Sequence, residues 1–118
     1  ITVYNKVGDM VDKIGKDFVG KYGYSLVGGV IGCTDVCEGL ELRNCYQSMF
    51  FLIPGYGFQG GDASDVSVYL KDGNGGVVNS SRGILLAYKN YNNDNQFDIW
   101  ARKEVIRMRE DIKNATRI

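Results

Sequence analysis

A chain of 118 residues with 44% hydrophobic and 24% charged side chains suits one small globular domain. Fourteen basic residues balance fourteen acidic ones, so there is no net field to draw nucleic acid or an anionic membrane surface, and neither is expected as a partner. No apolar run nears the roughly 18 residues of a membrane span and no basic-then-apolar leader opens the chain, so a cytoplasmic location is expected.

In chain order, the first signal runs from Tyr4 to Tyr22. Apolar residues at Tyr4, Val7, Val11, Ile14, Phe18 and Tyr22 recur in steps of three and four, which predicts one amphipathic helix ended by Gly23. Lys16 and Asp17 read as part of its solvated face. Ser25 to Cys33 reads as a small apolar strand buried on both faces. Asp35 and Glu38 have capping-box spacing for a short helix anchored by Leu40 and Leu42. Phe50 to Ile53 is a second strand of the fully buried kind, ended by Pro54, which has no N–H for a sheet ladder. A helix follows from about Asp62 to Leu70, then a turn at Asp72-Gly-Asn-Gly-Gly76 and a brief strand at Val77-Val78. Asn79-Ser-Ser-Arg-Gly83 reads as a polar turn, and Lys89 to Gln96 as a polar loop. The last helix is predicted from about Phe97 to Ala115, with the stripe Phe97, Ala101, Val105, Met108, Ile112 and Ala115.

Cys33, Cys37 and Cys45 are odd in number, which argues against a complete disulfide framework, and the chain has no histidine to finish a zinc site or serve a Ser-His-Asp or Cys-His mechanism. No metal or cofactor is expected. Small buried hydrophobes are the better reading of the cysteines than a Cys33–Cys37 redox pair.

The stretch after the second strand carries the most chemistry. Gly55, Gly57, Gly60 and Gly61 permit positive φ and close approach of a ligand to the backbone, and Gln59 sits among them. Asp62, with Asp65 three residues on, caps the helix that follows. A strand, a glycine loop and a helix start together make an anion site, where a flexible loop is the plainer alternative.

The order is one helix, then strand–helix three times, with strands starting about 25 residues apart, the βα repeat of a barrel of about 250 residues. Three strands cannot close a barrel. The chain is therefore either a small open α/β sheet or the C-terminal portion of a (β/α)8 TIM barrel, residues 1–118 forming one partial domain. The barrel reading accounts for both loops, since phosphate sites in such barrels are built after the last two strands. The start at Ile1 rather than Met, directly before a predicted helix, also leads us to expect a piece of a longer chain.

Phe51-Leu-Ile-Pro-Gly-Tyr-Gly-Phe-Gln-Gly-Gly-Asp62, followed by Val77-Val-Asn-Ser-Ser-Arg-Gly-Ile84, resembles the C-terminal barrel strands of the orotidine 5'-phosphate decarboxylase family, in its longer bacterial branch. Val27-Gly-Gly-Val-Ile-Gly-Cys-Thr34 resembles the sixth strand of that barrel. The resemblance implies a TIM-barrel lyase of pyrimidine biosynthesis that converts orotidine monophosphate to UMP and CO2 without cofactor or metal, homodimeric at full length. It implies that Gln59 spans from the phosphate to the pyrimidine, that Arg82 grips the phosphate with help from backbone N–H groups near Ser81, and that Pro54 lines the base pocket.

The same resemblance implies a catalytic array of alternating Lys and Asp, of the form Asp-x-Lys-x-x-Asp, on earlier strands. No predicted strand here carries it, and Lys16-Asp17 and Lys71-Asp72 fall on a helix and a turn. The expectation is a portion with substrate-binding residues and no catalytic ones, inactive alone. The rival readings are a free-standing phosphate-binding module and a portion of another phosphosugar barrel enzyme.

Overall fold

Two acidic caps set the short helices. Asp35 Oδ1 accepts from the Glu38 N–H at 3.0 Å, starting α2 (Val36–Cys45). Asp62 and Asp65 form a reciprocal capping box, each side chain accepting from the other's backbone N–H at 3.0 Å, to start α3 (Ala63–Ser67). The remaining elements of the computed structural model are α1 (Val3–Gly15), β1 (Gly29–Val30), β2 (Phe51–Pro54), β3 (Gly76–Asn79), α4 (Ser81–Leu85) and α5 (Phe97–Thr116). The structure describes residues 2–57, 60–92 and 94–117.

The strands form one parallel sheet in the order β1-β2-β3. Phe51 pairs with Gly29 and Gly76, and Pro54 stands beside Asn79. The alignment of β1 runs past its two formal residues, with the N–H groups of Ile31 and Cys33 donating to Leu52 O and Pro54 O. Phe51 and Ile53 point to one face, where they are fully buried with Leu42, Val66, Tyr69 and Met108. Leu52, Val30 and Val77 point to the other face and are exposed. The expectation of strands buried on both faces therefore fails for these 118 residues: helices cover one side only.

Three helix readings also need correction. The predicted helix from Tyr4 to Tyr22 is α-helical only to Gly15 and continues as a 3-10 turn at Lys16–Phe18. At that point the Ser25 hydroxyl donates to Gly15 O at 3.0 Å, and a Cβ on Gly15 would lie 2.5 Å from it. Of the apolar stripe, only Val11 packs against the core. Tyr4, Val7, Ile14, Phe18 and Tyr22 are exposed, whereas Gly8 lies so close to the Tyr46 ring that a Cβ would stand 2.6 Å from it.

In α2, Leu42 is buried as expected but Leu40 is exposed, and Arg43 is buried in its place. The predicted helix to Leu70 is a single α-turn that ends at Ser67, and the polar turn at Asn79–Gly83 is the start of α4. The residues after it wind as a 3-10 turn, Ala87–Tyr91. The final helix matches its predicted limits, although Phe97 and Val105 are exposed while Met108 is buried and Ile112 and Ala115 pack against the core.

Candidate functional site at the carboxyl ends of β2 and β3

Because the strands are parallel and in register, Pro54 and Asn79 end side by side, and the two chain segments leaving them share one end of the sheet. Gly55, Gly57 and Gly60 have φ of 101°, 73° and 97°, which side chains rarely tolerate. Gly61 is required for space instead. A Cβ there would lie 2.6 Å from Cys33 Sγ and 2.8 Å from both Cys33 O and Gly55 O. The loop closes on itself through Gly57 N–H to Gly61 O at 2.6 Å, Gly60 N–H to Gly57 O at 3.0 Å and Gly61 N–H to Gly55 O at 3.0 Å. Cys33 is buried beneath it, and that burial pushes its thiol pKa up; Cys37 and Cys45 are exposed.

Across from the loop, Ser80 turns the chain from β3 into α4 and is itself buried. Ser81 and Arg82 occupy the first turn of α4, where backbone N–H groups have no partner within the helix. The Asn79 amide donates to Ser81 Oγ at 3.2 Å and orients that hydroxyl.

Pro54, Gly55, Asn79, Ser81 and Arg82 line a cleft of about 70 Å³ between the two segments. Three of the four residues singled out from sequence are thus brought together; the fourth, Gln59, lies outside the described residues. A larger cleft of about 480 Å³ continues past Arg82 toward Lys89 and Arg107. The two clefts share Tyr56, Ser80 and Arg82. Arg107 is paired with Glu104 at 2.6 Å, which raises its already high pKa further.

Tyr56 was not legible as a site residue. Its ring is buried, and its hydroxyl donates to Asp111 Oδ2 of α5 at 2.5 Å. Burial first and Asp111 second push the phenol up to about 12. Its one sequence signal is position, as a large residue between two glycines of the loop.

The small cleft offers one cation, Arg82, beside the backbone N–H groups that open α4, a set suited to a phosphate group. Among the described residues, no three Cys, Asp or Glu side chains converge as metal ligands. Lys16-Asp17 and Lys71-Asp72 lie away from this end. Lys16 and Asp17 belong to the turn after α1, and Lys71 and Asp72 to the hairpin that leads into β3 from the opposite end of the sheet. No described helix is long and apolar enough to cross a membrane.

No protein-family model matches the chain. Curated relatives do. Orotidine 5'-phosphate decarboxylase of Clostridium tetani is 58% identical over 113 residues, covering 96% of this chain and 39% of the relative. The enzymes of the same name from Clostridium novyi and Petrotoga mobilis are 54% and 55% identical over 93% and 95% of this chain, again over 39% of their own length. Among solved structures, an orotidine-monophosphate-decarboxylase assignment from Toxoplasma gondii superposes on all of this chain and 44% of its own with a TM-score of 0.71 at 22% identity, a likeness of fold. UMP synthase of Leishmania donovani matches 79% of this chain and 21% of its own, with a TM-score of 0.50 and 26% identity. The fold is accordingly that of part of an α/β barrel. The chain spans about two fifths of the length of the curated relatives it matches, and it belongs, as a C-terminal part, to the orotidine 5'-phosphate decarboxylase family.

Proposed function

We propose that residues 1–118 form one partial domain of an orotidine 5'-phosphate decarboxylase and hold the phosphate side of its substrate, orotidine monophosphate, and of the product UMP. The observation that carries this reading is the convergence of Pro54, Ser81 and Arg82 with a glycine loop at the carboxyl ends of two parallel strands. In this reading Arg82 meets the phosphate oxygens with its guanidinium, and the N–H groups of the first turn of α4 add donors. Pro54 walls the base, and Gln59 reaches from the phosphate to the pyrimidine. Binding energy gathered at the phosphate, remote from the reacting carbon, is then available to stabilise the transition state.

The chemistry itself needs a group that stabilises the developing carbanion. In this reading the Lys/Asp array that does so belongs to chain outside these 118 residues, which alone are inactive. The full-length enzyme is a cytoplasmic homodimer in this reading and uses neither metal nor cofactor.

The test is Arg82→Ala in the full-length protein. It is expected to lower kcat/KM for orotidine monophosphate by about 10- to 100-fold, the loss of one charge-assisted contact or slightly more. Orotidine, which lacks the phosphate, should be turned over as before. Equal damage to both substrates would make Arg82 structural and overturn the assignment. Turnover by the rigorously purified 118-residue chain would overturn its predicted inactivity.

A further inference from the structure

Among the described residues of the glycine loop, Tyr56 sends its side chain to a distant helix. Tyr56 follows Gly55 directly, pairs with Gly61 across the base of the loop, and is only 4% exposed. Tyr56 lines both clefts, and its hydroxyl meets Asp111, 55 residues further along the chain on α5. Arg107, one helical turn earlier on α5, interacts with the same hydroxyl and is itself held by Glu104. The hydrogen bonds among Gly55, Gly57, Gly60 and Gly61 close the loop on itself but do not fix where it stands against α4, which takes a contact to another element. Asp111 is exposed and lines neither cleft.

We propose that the Tyr56–Asp111 contact sets the position of the glycine loop against α4, making both residues positioning residues for the phosphate group. This rests on the phosphate reading given above. A site whose donors are held in place binds a dianion more tightly than one whose loop must first be ordered. Loss of the contact therefore weakens phosphate-bearing ligands selectively.

The experiment measures Kd for UMP and for uridine by calorimetry with full-length wild type, Tyr56→Phe, Asp111→Ala, the double variant and Arg82→Ala. Tyr56→Phe keeps the buried ring and removes only the hydroxyl. Each single variant is expected to raise the UMP Kd about tenfold with the uridine Kd unchanged, and the double variant to be no worse than either. If Tyr56→Phe fails to fold, Asp111→Ala on the exposed face of α5 decides alone. UMP affinity within twofold of wild type in the loop variants, beside a loss in Arg82→Ala, overturns the positioning role and leaves the phosphate site standing. Equal loss for UMP and uridine overturns it too, as a general structural effect. An Arg82→Ala variant with an unchanged UMP–uridine difference overturns the phosphate reading and this inference together.

Discussion

The Arg43 guanidinium lies 3.7 Å over the centre of the Phe51 ring, at the end of the sheet opposite the glycine loop. It is 4% exposed, and its hydrogen bonds go to main-chain carbonyls: Tyr69 O and Met49 O at 2.9 Å, with Gly75 O, Gln47 O and Tyr46 O at 3.3–3.5 Å. One cation thus ties the end of α2 to the chain after α3 and to the starts of β2 and β3. Burial pulls its pKa down, but a guanidinium has ample margin to stay charged.

Arg43→Ala should therefore destabilise the protein by at least about 3 kcal/mol, since it leaves several buried carbonyls unpaired and a cavity beside Phe51. Arg43→Lys should recover only part of this, because an ammonium cannot span the same fork of acceptors. Urea denaturation of both variants checks the order. A lysine variant as stable as wild type would show that charge alone matters there.

Gly61→Ala tests the loop by volume, not by charge. The new methyl would fall 2.8 Å from two carbonyl oxygens, Cys33 O and Gly55 O, neither of which can swing aside as a side chain would. The loop must move, with an overpacking cost of about 1–3 kcal/mol. UMP affinity should fall in the same variant while uridine affinity holds, and the two Kd values measured side by side check it. A variant indistinguishable from wild type would mean that the loop does not adopt this closed form.

How much of this was legible depended on whether the cause was local. Asp35 and Asp62 could be read as caps because a cap is decided by residues three positions away. The glycine loop and the α5 limits were legible for similar reasons. Arg43 was not, because its acceptors Tyr69, Met49 and Gly75 come from separate segments and a lone arginine in a sequence reads as surface. Tyr56 was missed likewise, since Asp111 is 55 residues away. The stripe of α1 misled in the opposite direction. Its periodicity is genuine, but of its apolar residues only Val11 packs against the core, and the tightest approaches are at the small residues Gly8 and Gly15.

Tyr46 joins α1 to the end of α2, and it titrates. Its hydroxyl lies 2.9 Å from Asn5 O and 2.8 Å from Asp9 Oδ1, and burial first, then Asp9, push its pKa from 10.0 up to about 12. A group whose folded pKa is raised contributes stability that is complete below the unfolded value and is lost as pH rises through the folded one. The contribution should be whole at pH 9 and disappear between about 10 and 12. Tyr46→Phe should cost about 1.5 kcal/mol at pH 8. The gap between wild type and variant should close as pH approaches 12. Urea melts of the pair at both pH values isolate this residue from Tyr56 and Tyr69, whose pKa values are also raised. A gap that stays constant with pH would detach the effect from titration.

The last prediction concerns surfaces without partners. Among the described residues β1 and β3 each pair on one side only, so the sheet presents two open ladders. Its uncovered face carries Val30, Leu52 and Val77, with Leu26 at 85% exposure beside them. On α1, Val3, Val7, Met10 and Ile14 form a second exposed apolar surface. An unpaired edge next to apolar side chains is a template for another chain, and patches of this extent are uncommon on soluble monomers. The curated relatives are matched over only 39% of their length, so they carry further chain beyond the part matched here. The 118-residue segment expressed by itself should therefore associate. Size-exclusion chromatography with light scattering should give a mass well above 13.1 kDa or a sample lost to aggregation. Charged substitutions at Leu52 and Val77 on the open face should shift it toward the monomer, as nothing in the described structure needs those side chains to be apolar. A soluble 13.1 kDa monomer with a cooperative thermal transition would show instead that the helices suffice to close this fold, and the partial-domain reading would fall.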